Sequence, residues 1–186
     1  MKLFLFFPIL LFYFAATAQT GRKFAQDTVV WASQRPLIKS DFKAKYRQGY
    51  ATAYTGTGIY LYVKEVEAEP KFFAEAIFLK SKSYMKDSSA YVLKHEQLHF
   101  DICELYARKL RQKLNDKDFT KVKNFRENVQ KLYDRLSDEM NKEQLWYDAD
   151  TENGMNAAKQ QVWEVDITRR LTELKEFAYT DVDIVK

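Results

Sequence analysis

The apolar residues of this chain change period near Asp87, and that change constrains the fold most. Before it, Ile59, Leu61 and Val63 alternate with Tyr60 and Tyr62, the period-two pattern of a half-buried strand. Pro70 breaks the run, and a second β-rich stretch follows over 70–81, with Phe73, Ala74, Ala76, Phe78 and Leu79 as its apolar positions. Two such runs separated by a turn predict an antiparallel pair. Val29–Ser33 is a shorter apolar run, and the Pro36 region reads as a turn. After Asp87 the spacing becomes helical. Asp87, Ser88 and Ser89 are all good N-caps, and Ala90, Leu93, Leu98, Ile102, Leu105, Tyr106 and Leu110 recur on one face to about Leu114. A turn at 115–118 leads to a second helix expected from Phe119 to Trp146, with Val122, Phe125, Val129, Leu132, Tyr133, Leu136 and Met140 on one face. Residues 147–154 read as a loop. A third helix is expected over 155–177, with Ala158, Val162, Val165, Ile167, Leu171 and Leu174 inward. The tail after it carries no assignment. The expected class is α+β: N-terminal antiparallel strands, then three helices.

The first residues stand apart from this pattern. Lys2 precedes an apolar run from Leu3 to Phe14, and Ala16 and Ala18 form an A-x-A end. A basic start, an apolar middle and a small-residue end make a secretory signal peptide, and the run is too short for a comfortable membrane span. The expected organisation is a signal peptide at 1–18 and one domain at 19–186, exported to the periplasm or beyond. The only cysteine is Cys103, so no lipid-attachment cysteine follows the apolar run, and a disulfide framework or cysteine-rich zinc finger is excluded. Removing Lys2 lowers the formal charge from +4 to +3. That is too small for a nucleic-acid footprint, and the basic residues are interleaved with acids as on solvated helix faces. No nucleic-acid partner and no stable membrane anchor are expected.

The first long helix contains His95-Glu96-Gln97-Leu98-His99, the H-E-x-x-H pattern. Residues four apart on a helix share a face, so the two imidazoles can bind one Zn²⁺ together, with Glu96 placed to take a proton from water. These are the only two histidines of 186 residues. Two histidines placed at random fall four apart about once in 95 times, so exposed helix histidines by coincidence are the weaker reading. A site of three histidines is excluded by the same count. His95 and His99 are therefore the expected metal ligands and Glu96 the expected general base.

The third ligand is not on this helix. Cys103 continues the stripe of 95 and 99, but it lies about 12 Å along the axis from His95, and a small buried thiol is the better reading. Asp101 and Glu104 point away, roughly 200° and 140° round the helix from His99, and Glu104 pairs naturally with Arg108. The second helix returns antiparallel, bringing its last turns and the following loop beside the histidines. Asp134, Asp138, Glu139, Asp148, Asp150 and Glu152 are the candidates there.

Several segments together resemble a bacterial family of predicted secreted zinc-dependent proteases, domain of unknown function 922. They are Trp31 with 35–45 (RPLIKSDFKAK), Thr52 and Thr55, 82–86 (KSYMK), 93–111 (LKHEQLHFDICELYARKLR), 147–151 (YDADT), and Gln161 with Trp163. The resemblance implies a zincin-like domain that holds zinc. One departure stands out: the family's Y-D-x-x-T-x-H segment has Asn153 at its histidine position here. Either a neighbouring carboxylate, Asp148, Asp150 or Glu152, takes the third place, or zinc binds weakly and activity is reduced.

The expected function is a secreted zinc metallopeptidase that hydrolyses peptides or proteins, with Glu96 activating water. The alternative is a catalytically weak or inactive relative serving as a periplasmic binding or structural module. N-terminal sequencing of the exported protein should begin at Gln19; a mature chain that retains Met1 would remove the signal-peptide reading.

Overall fold

The computed structural model describes residues 26–46, 51–67, 69–87, 89–117 and 123–184. The expected signal peptide, Ser88, and Phe119 to Val122 of the expected second helix lie outside them. The class is α+β, with N-terminal antiparallel strands and three helices. The strands are β1 (Thr28–Val30), β2 (Ala53–Tyr54), β3 (Thr57–Val66), β4 (Glu69–Leu79), β5 (Tyr84–Met85) and β6 (Asp181–Asp183). The helices are α1 (Ala90–Asn115), α2 (Phe125–Asp150) and α3 (Ala157–Glu173).

β4 is the central strand. It pairs antiparallel with β3 along its length, with β1 at one end and with β6 at the other. The register places Ile59 opposite Ala76 and Leu61 opposite Ala74. Alternation then puts Ile59, Leu61, Phe72, Ala74, Ala76 and Phe78 on one face, and all are buried. The two alanines let α1 approach closely, and Phe78 meets Phe100 of α1 with ring centroids 6.0 Å apart. Pro70 does not interrupt the sheet. It is the second residue of β4, opposite Glu65 at the far end of the hairpin, where a missing N–H costs least. The turn comes earlier, with Glu67 at φ 52°. The tail, unassigned from sequence, becomes β6 and buries Val182.

α1 begins where expected. The Ser89 hydroxyl accepts from the Val92 amide at 3.3 Å, and Asp87 caps the Ser89 amide at 2.9 Å. Sheet, α2 and α3 all pack on α1. Its middle therefore buries charge as well as hydrocarbon. Glu104 accepts from Arg108 at 2.8 Å and from Arg111 at 2.7 Å, and Arg111 also donates to the carbonyls of Ala178 and Tyr179, tying the tail to the helix.

The other two helices depart from the expected bounds. α2 starts later, at Phe125 after the left-handed Asn124, and runs on through the expected loop to Asp150. Residues 147–150 are weak helix formers, but Tyr147 is fully buried, and packing overrides local propensity. α3 is shorter, starting at an Asn156 side-chain cap over the Lys159 amide. Its inward face is Gln160, Trp163 and Ile167; Val162 and Val165, expected inward, are 63% and 65% exposed. Tryptophan offers the largest apolar area on this helix, so its placement sets the rotation. No helix among the described residues is long and apolar enough to cross a membrane.

Glu104 is the carboxylate bonded to the buried Arg111, with the Glu75 charge acting from further off. Glu104→Ala should lower the unfolding free energy by about 3–5 kcal/mol in urea denaturation, because it leaves a buried guanidinium uncompensated.

Candidate metal centre

His95 and His99 sit one turn apart on α1, their ring centroids 4.9 Å apart and their planes nearly perpendicular. Both Nε2 atoms face one oxygen of Asp148 on α2: 3.2 Å from His95 and 3.0 Å from His99. These three side chains are the cluster of potential metal-ligating groups among the described residues. Asp148 was one of six carboxylates open as third ligand. The others turn elsewhere. Asp150 accepts from the Trp163 indole at 2.9 Å and lies 3.1 Å from the Lys159 ammonium; Asp134 accepts from Gln130, Glu139 lies near Arg135, and Glu152 accepts from Asn156. Asp138 is exposed on α2. Asn153 borders the same cleft in the left-handed region at φ 54°, but the carboxylate on the imidazoles comes from the helix before it.

The far sides of both rings are also engaged. The Gln144 amide nitrogen donates to the His99 carbonyl at 2.9 Å, so its Oε1 is turned towards His99 Nδ1, where it meets the ring in a short contact. A backbone carbonyl only accepts; the amide NH₂ must face it, and Nδ1 must then carry the proton. The Tyr147 hydroxyl lies 2.7 Å from His95 Nδ1 and 3.4 Å from the His95 carbonyl. It can accept from Nδ1–H while directing its own hydrogen to that carbonyl. With both Nδ1 atoms as donors, both Nε2 lone pairs face Asp148. Three acceptors facing one another repel unless positive charge lies among them, and either a proton on His99 or a bound cation supplies it, so the donor set fits a cation when the rings are neutral.

The titration behaviour follows. Burial alone would lower the His99 pKa, but the Asp148 carboxylate, with Glu96, raises it to about 9. Burial would raise Asp148; the two imidazoles outweigh it and hold the carboxyl well below the usual range. Glu96 is raised, by burial first, with His99, Thr55 and His95 partly opposing. Burial also raises Tyr147, helped by the Glu96 and Asp148 charges.

Glu96 is buried, and the Thr55 side chain lies beside it. Thr55 is held there by short-strand pairing: β2 pairs with β5, and the Gly56 amide donates to the Ser83 hydroxyl at 2.9 Å. Behind His95 lies Gly154, at φ +82°; a Cβ there would come within 3.1 Å of the ring. Cys103, Asp101 and Glu104 are elsewhere, as expected. The thiol is buried in the core, where burial pushes it up. Asp101 accepts from the Trp31 indole and from Gln97, both at 2.8 Å.

The imidazoles, Glu96 and Asp148 line a cleft of about 720 Å³ between α1, α2, residues 51–57 and the loop 152–155. Gln144 was missed in the sequence, and Tyr147 was noticed only as part of a segment assigned to a loop. Their signal is helical spacing: 144, 147, 148 and 151 share one face once α2 is continued to 150.

Residues 79–154 match a family described as bacterial protein of unknown function (DUF922). The matched stretch contains α1, α2 and the whole cluster. No curated protein and no solved structure matches the chain.

Gln144→Leu keeps the bulk and removes both hydrogen bonds to His99. It should weaken binding of added Zn²⁺, used as the probe ion, about 10–100-fold in a chelator competition titration, with far-UV circular dichroism unchanged; unchanged affinity would show that the amide does not orient the ring.

Proposed function

We propose that this chain is an exported zinc-dependent peptidase with a zincin-like site. The observation that carries the reading is the meeting of His95, His99 and one Asp148 oxygen on the wall of an open cleft, with Glu96 buried beside them. Two imidazoles and a carboxylate suit zinc, and three protein ligands are what a catalytic zinc takes when a position is kept for water or substrate. A zinc ion held there would supply Lewis acidity, acidifying water and polarising a substrate carbonyl.

The remaining chemistry belongs to the protein. Glu96 follows His95 directly but is not in the converging set, so its carboxylate is free to accept a proton from the attacking water and deliver it to the leaving amine. Burial raises its pKa above that of a solvated carboxyl, the direction that makes it a better proton acceptor. The Thr55 side chain lies beside it. Gln144 and Tyr147 keep the two imidazoles turned with Nε2 inward.

Asn153, at the position where the resembling family has a histidine, favours a second reading: a domain that binds metal without turning over peptide. Metal content and turnover together separate the two. The protein should hold close to one zinc ion per chain, and His99→Ala should lose most of it. Glu96→Gln should keep zinc and fold while peptide hydrolysis falls about 10²–10⁴-fold. Zinc binding without hydrolysis in the unaltered chain would select the binding module; hydrolysis untouched by Glu96→Gln would overturn the mechanism.

A further inference from the structure

The mouth of the cleft is unusual in what it exposes. Leu145 is 56% exposed, Met155 78% and Tyr91 39%, and all three line the same opening with Val92 and Tyr54. Isolated exposed apolar residues need no explanation, but several gathered on the rim of one cleft mark a surface that binds. They come from three separate elements: Tyr91 from α1, Leu145 from α2 and Met155 from the loop before α3.

Their distance from the cluster is set by the helices. Tyr91 precedes His95 by one turn, and Leu145 precedes Asp148 by about 4.5 Å of helix rise. Met155 follows Gly154, whose Cα hydrogens abut the His95 ring. By helix rise the Tyr91 and Leu145 backbones stand about 4.5–6 Å along their helices from the cluster, on the order of one to two residues of extended peptide at some 3.3–3.6 Å each. That is where the side chain next to a carbonyl held at the cluster would fall.

Charge narrows the class further. The ionisable residues lining the cleft, among the described residues, are His95, His99, Glu96, Asp148, Glu152 and the phenols of Tyr54 and Tyr91; none is lysine or arginine. An acidic side chain would face carboxylates, and a free C-terminal carboxylate would find no cationic side chain among the described lining residues to pair with.

We infer that the cleft takes internal segments of extended polypeptide carrying a bulky apolar side chain beside the bond presented to the cluster, and disfavours acidic residues there. This rests on the peptidase reading, and it adds the substrate class.

The test uses binding, so that it does not depend on turnover. Zinc-loaded full-length mature protein carrying Glu96→Gln is titrated with two fluorescent blocked peptides that differ only in a central Leu or Glu. The Leu peptide should bind at least about ten-fold more tightly, the scale of burying one large apolar side chain. Leu145→Glu and Met155→Glu, both at exposed positions, should each weaken the Leu peptide about ten-fold with zinc content and circular dichroism unchanged. Equal affinity for the two peptides, a preference for Glu, rim variants without effect, or no binding of either peptide would each overturn the inference. These failures are separable from failure of the peptidase reading, which is decided by zinc content and by the loss of hydrolysis in Glu96→Gln. A chain that holds zinc and hydrolyses peptides without distinguishing Leu from Glu loses only the substrate class.

Discussion

The approach of Asp148 to two imidazoles is the interaction on which the arrangement of the three helices depends. His95 is buried and His99 nearly so, one turn apart on a helix packed on several sides. A buried imidazole can carry charge only with a carboxylate beside it, because desolvation otherwise disfavours the ionised form. α2 supplies that carboxylate from its last turn, and the rest of that turn supports the same contact. Gln144 grips His99 at both its ring and its carbonyl, and Tyr147 stacks on His95 with centroids 4.6 Å apart. Trp163 of α3 packs behind Tyr147 and donates to Asp150. The chain then doubles back through Glu152, Asn153 and Gly154, all at positive φ, so that Gly154 closes on the other side of the His95 ring. Two residues there carry side chains in a conformation that costs them backbone energy; the packing around His95 and Tyr147 offsets that strain.

α1 satisfies two opposed requirements along one length. Its first turns carry the polar cluster open to the cleft. Its middle and end carry a closed polar core, Glu104 with Arg108 and Arg111, plus the apolar residues Leu105, Leu110 and Leu114. The closed end is tied to the tail through carbonyls of Leu171, Ala178 and Tyr179. Because β6 follows that tail and pairs with β4, the same arginines connect helix, tail and sheet. The hairpin β3–β4 gives α1 a flat floor, and the short β2–β5 ladder stands at its open end, bringing Thr55 to Glu96. A buried ion pair adds little net stability over an apolar replacement, but breaking one is costly, so the cluster resists any rearrangement of α1 against the tail.

The H-E-x-x-H pattern, the strand-then-helix order and the antiparallel return of the second helix were all legible in the chain. Each depends on local periodicity, and periodicity survives tertiary packing when many residues share it, as in α1. The region of the third carboxylate was legible for the same reason; which of six carboxylates it is was not. Asp148 and Asp150 are two residues apart, and on a helix that is a turn of roughly 200°, enough to send one to the imidazoles and the other to Trp163. Reading 147–154 as a loop concealed this, because Asp and Thr weaken helix propensity while the burial of Tyr147 acts through residues distant in sequence. The face of α3 was misread similarly: Val162 and Val165 fit an apolar stripe as well as Trp163 and Ile167 do, and only the position of Tyr147 and Trp146 chooses between the two rotations.

By itself, then, the sequence determined the class of fold, the helix that presents two imidazoles on one face, and Glu96 between them in the chain, since all three follow from spacing along the chain. The tertiary structure decided what those imidazoles face, which tautomer their neighbours impose and what surface surrounds them. Those depend on contacts between residues such as His99 and Gln144, or Thr55 and Glu96, which lie far apart in the chain and meet only because burial of Tyr147, Trp163 and the β4 alanines fixes how the helices and strands are rotated against one another.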